Sequence, residues 1–213
     1  MRIPLHLSPC TKCGKRTYVW INLHDTSFEN ICRCGEEHSG FLASDITVGF
    51  RGLYRSQYEL VETKDHILSM VFSATAVEWD LYRLFQKWMG ISAMESGYQV
   101  SDESLDEMFR KHRTIFNKFK ETGRLMYPQG FEKFVRLSPE FRDTVEKGFP
   151  SLQPESLIDD IRETLFEPRN RILHAACIEY DEKAAWRSYN IAHLTLLVLQ
   201  GMDKYRIDSY DVT

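Results

Sequence analysis

Four of the five cysteines lie in the first 34 residues of the chain, in two closely spaced pairs. Cys10 and Cys13 are separated by two residues, Cys32 and Cys34 by one, and a glycine follows each pair. Glycine allows the tight turn that points backbone N–H groups at thiolate sulfurs. Two such turns joined by a hairpin supply four sulfur ligands, which suits tetrahedral Zn²⁺. The pattern therefore predicts a structural zinc site with no open position for catalysis.

The cysteine set leaves alternatives open. Because the second pair is spaced by one residue where two are commoner, His24 or His38 could replace a cysteine ligand. Four unrelated reduced thiols are the other alternative. An odd number of cysteines without an export signal argues against a disulfide framework. Cys177 lies outside both pairs and is interpreted as a small buried residue, not as a nucleophile.

A second set of reactive residues lies in the stretch EPRNRILHAA, residues 167–176. Proline cannot continue a regular helix, so the chain is expected either to restart with Pro168 in the first turn or to kink there. Asn170 and His174 are four residues apart and share a helix face, and the long Arg169 side chain can reach back over the turn. Histidine titrates near neutral pH and a guanidinium donates several hydrogen bonds to phosphate, which suits acid–base chemistry at a phosphate. The apolar residues expected to turn toward the core are Ile172, Leu173 and Ala176.

The cysteine pairs lie in a segment whose composition differs from the rest, and the change comes at about residue 60. Between the pairs, TYVWINL combines aromatic and β-branched residues, which favour a strand. Residues 41–62 contain Gly49 and Gly52 within short alternating stretches, and we expect them to complete the sheet. Residues 1–60 are therefore predicted to form a small β module that resembles a zinc ribbon.

Residues 61–213 have apolar side chains at helical spacing, with capping residues between the segments. The first helix is nearly apolar all round in its middle, which indicates the central element of a bundle. Short connections between amphipathic helices predict a mainly α fold, an antiparallel helical bundle. The predicted helices begin at Thr63 (ending at Gly90), Ser104 (with a capping box to Glu107), Ser138 (ending at Gly148), Pro154 and Asp181.

Several features of this helical part resemble one known family. In RNRILH, four residues separate an arginine from a histidine, small residues follow, and the acidic stretch EYDEKAA leads into the final helix. In the first helix, Ala74 and Ala76 precede Glu78, a carboxylate in apolar surroundings that needs a partner or access to solvent. Over about residues 60–207 this arrangement resembles the HEPN superfamily, the higher eukaryote and prokaryote nucleotide-binding domains. Residues 123–150 match no segment of this family.

The resemblance implies a helical bundle that dimerises with its motif helices facing and cleaves RNA in the shared cleft. Such ribonucleases need no metal and leave a 2′,3′-cyclic phosphate. By the same resemblance, His174 is the general base or acid near the 2′-hydroxyl, Arg169 stabilises charge on the phosphorane, and Asn170 orients one or both of them. Glu78 supports this set. In a two-fold dimer, one copy of His174 takes the proton while the other copy returns one to the leaving oxygen.

A group of basic residues lies between residues 110 and 124, where six cations accompany the single carboxylate of Glu121. One interpretation is a solvated helix face that offsets acidic neighbours. The other is a track for the RNA backbone beside the motif. The residues assigned to that track are Arg110, Lys111, Arg113, Lys118 and Lys120.

The composition limits the kind of protein this is. A chain of 213 residues with 43% hydrophobic residues can bury a full core, and a net charge of −4 argues against nonspecific coating of nucleic acid. No apolar run has the length of a signal peptide or a membrane span, so we expect a cytoplasmic protein without membrane contact. His66, His112 and His193 have no metal-ligand spacing and are interpreted as structural.

Three functions fit these observations. The first is a metal-independent endoribonuclease, in a toxin or defence setting, with the zinc ribbon helping to bind RNA. The second is a catalytically silent adaptor that binds nucleic acid or a nucleotide. The third is a protein-interaction module that dimerises through the bundle, with the ribbon docking an antitoxin or another protein partner.

Overall fold

The computed structural model describes most of the chain, and its described residues are predominantly helical, as the sequence predicts. They are residues 2–7, 12–13, 17–22, 27–31, 34–41, 48–137, 157–175 and 179–210. Side chains are described at 12–13, 34–37, 48–137, 157–174 and 179–207. Within these bounds, no helix combines the length and apolar character needed to cross a membrane. Predictions for Cys10, His24, Cys32, Ala176, Cys177, the side chain of His38 and the helix from Ser138 to Gly148 lie outside the described residues.

The N-terminal segment contains a four-stranded antiparallel sheet whose strands follow chain order. Strand β2 coincides with the TYVWINL stretch predicted to be extended. In a sheet of this order, the β1–β2 and β3–β4 connections leave at the same end, and the β2–β3 connection leaves at the opposite end. The strands are β1 (Arg2–Leu7), β2 (Thr17–Asn22), β3 (Ser27–Ile31) and β4 (Glu37–Phe41), with Arg2 opposite Asn22 and Ser27 opposite Phe41.

Residues 48–63 are helical, so the prediction that they help to complete the sheet is wrong. Helix α1 (Val48–Tyr58) continues directly into a π-helical turn, Glu59–Thr63. The buried residues of α1 recur at spacings of three and four, which is the pattern of one helix face. The glycines that suggested short strands belong to that face. Its buried residues are Gly49, Gly52, Leu53 and Ser56.

Helix α2 (His66–Glu95) is the central element, as predicted, but both of its ends differ from the expectation. Its N-cap is Asp65, whose carboxylate accepts an N–H of the first turn, whereas Thr63 ends the preceding π-helical turn. The helix continues through Gly90, because one glycine costs a helix only about 1 kcal/mol. The glycine that follows its end in the left-handed region is Gly97, with φ of 76°.

Two glycines allow α1 to lie directly against α2. A Cβ atom at Gly49 would be 2.6 Å from Leu196 Cδ2 and 2.9 Å from the carbonyl oxygen of Ala76. A Cβ atom at Gly52 would be 2.9 Å from the Cβ of Ala76. Neither position accepts a side chain unless the helices move apart. The close contact places α1 next to the part of α2 that carries Glu78.

The helix predicted from Ser104 begins two residues earlier, at Asp102, and forms α3 (Asp102–Lys111). Ser101 caps it by accepting the N–H of Ser104, so the capping box predicted at Ser104 and Glu107 is wrong. The sequence offers a serine at both positions. The earlier cap places two acidic residues in the first turn, where they interact favourably with the helix dipole.

A separate helix, α4 (Ile115–Met126), follows where α3 was expected to continue. Thr114 starts it by accepting an N–H of its first turn. Helix α5 (Gly130–Leu137) then packs on α4 so closely that a Cβ atom at Gly123 would be 3.0 Å from the Phe131 nitrogen. Helix α5 belongs to the segment for which the family resemblance has no counterpart.

The C-terminal half of the bundle is built from one interrupted helix and one long helix. Helix α6 (Leu157–Ile161), a π-helical turn (Arg162–Phe166) and α7 (Glu167–Ala175) follow one another without a gap. Helix α8 (Glu182–Tyr210) ends the bundle, as the sequence predicts. Helix α2 contacts α1, α3, α4, α7 and α8, which agrees with its central position. The largest fully buried side chains of the common core include Leu81, Leu84, Met126, Leu165 and Leu196.

The close contact of α1 with α2 predicts the effect of alanine at its glycines. Gly49→Ala and Gly52→Ala should each lower the free energy of unfolding by about 1–3 kcal/mol, because the added methyl overpacks the interface. Gly90→Ala is the matched control, since its Cβ would meet nothing within 4 Å. Alanine there should raise the free energy of unfolding by about 1 kcal/mol. Denaturant unfolding measures all three, and equal effects at positions 49 and 90 would contradict the contact.

Candidate functional site

The motif residues lie on α7, directly after the π-helical turn Arg162–Phe166. The N–H of Glu167 donates to the carbonyl oxygen of Arg162, five residues back, as in a π-helix. Pro168 lies in the first turn of α7, one of the two predicted alternatives, but the chain does not leave the helical path before it. A regular helix would lose a hydrogen bond at Pro168, because proline has no N–H to donate, and the π-helical hydrogen bond lies next to this position.

Arg169 extends from α7 toward α2 and is half-buried, with 28% of its side chain exposed. Its Nη2 is 3.4 Å from Glu78 Oε2, and its Nη1 donates to Asn170 Oδ1 at 3.1 Å. Its Nε is buried and has no hydrogen-bond partner in the described part of the chain. The guanidinium is therefore directed at Glu78, with one donor left unsatisfied.

Glu78 has two cationic partners, which confirms the prediction that a carboxylate in the apolar middle of α2 needs one. Lys118 Nζ donates to its Oε1 at 2.9 Å, while Arg169 approaches Oε2. The Lys118 ammonium also lies 4.5 Å from the centre of the Phe109 ring. One carboxylate thus links α2, α4 and α7. The Lys118 contact was missed because 40 residues separate it from Glu78, and no helical spacing relates the two.

Asn170 and His174 are both exposed, one turn apart on α7. Ile172 is half-buried and packs on a small buried cluster, as predicted. Leu173, however, has 53% of its surface exposed, so the prediction that it turns toward the core is wrong. Neighbouring helical residues are about 100° apart, and only one of these two apolar side chains can point inward. The outer face of α7 therefore carries an imidazole, an amide and an apolar side chain together.

The first residues of the predicted RNA track are paired within α3. Arg110 Nη2 lies 2.6 Å from Asp106 Oδ2, and Lys111 Nζ lies 3.5 Å from Glu107 Oε1. Both pairs join residues four apart on one helix surface. These contacts favour the interpretation of a solvated face that offsets acidic neighbours. Arg113, in the connection after α3, is exposed and forms no ion pair among the described residues.

The remaining residues of the track lie on different sides of α4. Lys118 and Lys120 are about 200° apart around the helix axis. Lys118 turns to Glu78, whereas Lys120 lines a cavity of about 290 Å³ together with Phe116 and Arg124. The five predicted residues therefore do not form one continuous basic surface. The cause is the helical period, which separates residues that are neighbours in the sequence.

The two described cysteines lie in turns at the same end of the N-terminal sheet. Cys13 precedes β2 and Cys34 precedes β4, and both are half-buried. An ion pair joins the same two turns, with Lys12 Nζ 3.5 Å from Glu36 Oε2. Where side chains are described, no group of three or more potential ligands is placed to hold a metal ion. The other two predicted ligands lie outside that part of the chain.

Two of the three histidines interpreted as structural contact aromatic rings. His112 lies with its ring 6.0 Å from that of Phe85, and the His193 ring meets the edge of Phe50 at 6.0 Å. Burial lowers the pKa of His193 below its ordinary value, because the charged form loses solvation. His66 is half-buried at the start of α2. These positions agree with a structural role.

The lowered pKa of His193 predicts a pH-dependent stability. The unfolded chain binds the proton more readily, so the free energy of unfolding should fall as the pH drops below about 6.5, the ordinary value for histidine. His193→Gln cannot titrate and should show a smaller fall between about pH 7.5 and 5. His174→Gln controls for loss of an imidazole at an exposed position. Denaturant unfolding across this range measures the effect, and a wild-type slope in His193→Gln would contradict it.

No protein-family model, curated protein or solved structure matches this chain. The candidate site therefore rests on the residues themselves: Arg169 and Glu78 between α7 and α2, with Asn170 and His174 on the outer face of α7.

Proposed function

We propose that the chain is an endoribonuclease that cleaves RNA without a metal ion, by attack of the 2′-hydroxyl on the adjacent phosphate. One observation carries the proposal: α7 presents His174 and Asn170 at its surface while Arg169, on the same helix, is oriented by Glu78. An imidazole for proton transfer and a guanidinium for phosphate charge are the two groups that this reaction needs.

The residue roles follow from the chemistry of the transesterification. His174 accepts the proton of the 2′-hydroxyl, whose oxygen then attacks phosphorus. Arg169 stabilises the added negative charge of the phosphorane. Asn170 accepts from Arg169 through Oδ1, which leaves its amide N–H groups to orient the phosphate. The bond to the 5′-oxygen breaks, that oxygen receives a proton, and the products are a 2′,3′-cyclic phosphate and a 5′-hydroxyl.

We propose that a second copy of the chain completes this site, facing the first across α7. In one copy Arg169 is directed toward α2 and His174 is exposed, and in-line displacement needs a proton donor on the side of the phosphate opposite to the base. His174 of the second copy supplies that proton in a two-fold arrangement. The exposed Leu173 beside His174 offers an apolar contact for such a dimer.

The setting proposed for this activity is cytoplasmic, in a toxin or defence system controlled by a protein partner such as an antitoxin. A catalytically silent module that binds RNA or dimerises is the second candidate. The ion pair of Arg169 with Glu78 favours it, because the guanidinium is engaged by a carboxylate in this arrangement. The two candidates differ in whether RNA is cleaved or only bound.

We further propose that the N-terminal sheet is a zinc ribbon in which Cys10, Cys13, Cys32 and Cys34 hold a structural Zn²⁺. The β1–β2 and β3–β4 connections contain these cysteines, and both leave the sheet at one end. The pairing of Lys12 with Glu36 supports their proximity. The ribbon is proposed to help bind RNA.

The ribonuclease proposal predicts cleavage of single-stranded RNA without added Mg²⁺, with 2′,3′-cyclic phosphate ends. His174→Ala should lower kcat/KM by at least about 100-fold, because it removes proton transfer, and Arg169→Ala by about 100- to 1,000-fold. End-group analysis and single-turnover rates measure both. DNA of the same sequence should stay intact, since it has no 2′-hydroxyl.

Arg171→Ala is the matched control for these variants, because Arg171 is exposed on the same helix and is not assigned a role. It should retain the wild-type rate within a few-fold. A His174→Ala variant that cleaves at the wild-type rate would overturn the proposal. Salt-sensitive RNA binding with no cleavage by the wild type would favour the silent module.

The zinc proposal predicts about one Zn²⁺ per purified chain. Cys13→Ser and Cys34→Ser should each lose most of the metal, because an oxygen replaces a thiolate ligand. Cys177→Ser is the matched control and should keep the full zinc content. Metal analysis by mass spectrometry measures all three, and equal zinc in Cys13→Ser and Cys177→Ser would contradict the assignment.

A further inference from the structure

Glu78 is held by two cations at unequal distances. Lys118 Nζ is 2.9 Å from Oε1, a normal length for a charge-assisted hydrogen bond, whereas Arg169 Nη2 is 3.4 Å from Oε2. The carboxylate charge is therefore compensated mainly by Lys118. Arg169 is the more weakly bound of the two partners.

Lys118 is the more firmly fixed cation as well. Only 16% of its side chain is exposed, and its ammonium lies 4.5 Å from the centre of the Phe109 ring, within the range of a cation–π contact. It approaches Glu78 from α4, whereas Arg169 approaches from α7. Lys118 is thus held between a carboxylate and an aromatic ring, and its charge is directed at Glu78.

We propose that Lys118 is a positioning residue that keeps Arg169 available to the scissile phosphate by neutralising Glu78. The proposal rests on the ribonuclease function proposed above. Without Lys118, Arg169 would be the one cation left at Glu78 among the described residues, and the half-buried pair would be little screened by solvent. Glu78 would then draw the guanidinium closer and compete with the phosphate for it. Lys118 acts on catalysis through Glu78 and does not contact RNA.

The proposal differs from the earlier assignment of Lys118 to an RNA-backbone track. A residue that contacts phosphate would raise RNA affinity and contribute to its salt dependence, by about 0.7 in the slope for a single strand. A residue that positions Arg169 would change kcat and leave both quantities unchanged. The two roles therefore give different results in the same assay.

The test compares Lys118→Met, Lys118→Arg and the double variant Lys118→Met/Glu78→Gln. Lys118→Met should lower kcat about tenfold with KM unchanged, a smaller loss than removal of Arg169 itself. Glu78→Gln in the same chain removes the competing charge but keeps a side-chain oxygen that accepts from Arg169, so it should restore kcat to within about threefold of wild type. Lys118→Arg keeps the positive charge and should retain most of the activity.

Lys87→Met is the matched control. Lys87 Nζ lies 2.7 Å from Asp203 Oδ1 and 4.8 Å from the centre of the Trp88 ring. Like Lys118, it therefore contacts a carboxylate and an aromatic ring. Its loss should cost comparable stability without changing kcat. Thermal unfolding of every variant separates a loss of folding from a loss of catalysis.

Three results would overturn the inference. They are a Lys118→Met variant as active as wild type, a double variant less active than Lys118→Met, and a drop of RNA affinity with a shallower salt slope. The first of these leaves the ribonuclease function standing. If the wild type cleaves no RNA, the ribonuclease function fails. The role of Lys118 can then be tested by titrating inorganic phosphate and following the Arg169 side-chain resonance by NMR. Lys118→Met should weaken that response and the double variant should restore it, and an unchanged response would overturn the inference.

Discussion

A helix with apolar side chains on almost every side is stable only when other helices cover it, and α2 imposes this constraint on the whole bundle. Helix α1 packs against Ala76 at a distance that only glycine permits. Two residues later, Glu78 places a carboxylate in the same surroundings, where it needs compensating charge. The position of α1 and the orientation of the motif arginine therefore both depend on a short stretch of α2.

Much of the helical architecture could be predicted because it follows from local pattern. The central and final helices have long apolar periodicity, and both were identified, although the two ends of the central helix were misplaced. Helix α1 was missed because Gly49 and Gly52 have poor helix propensity. The tertiary contact with Ala76 that explains these glycines leaves no local signal in the sequence. The start of α3 was misplaced because serines at two positions are both acceptable caps, and the choice depends on the acidic residues between them.

The candidate site was predictable in its residues but not in its geometry. The motif showed that Asn170 and His174 share a helix face, and apolar surroundings showed that Glu78 needs a partner. Which partners it has depends on contacts 40 and 91 residues apart in the chain, and no periodicity relates such residues. The basic residues of α3 and α4 are close in the sequence, which suggested that they form one surface. The helical period places them on different sides of their helices instead.

A π-helical turn contains one residue more than the α-helical turn it replaces, so the turn at 162–166 is equivalent to a single-residue insertion. Winding the same residues as a regular α-helix would rotate all that follows by about 100° relative to α6. Arg169 would leave Glu78, and His174 would move to another face, although no motif residue had changed. A chain with the same RNRILH sequence, preceded by the same number of residues in a regular α-helix, would have the residues of the site without their arrangement.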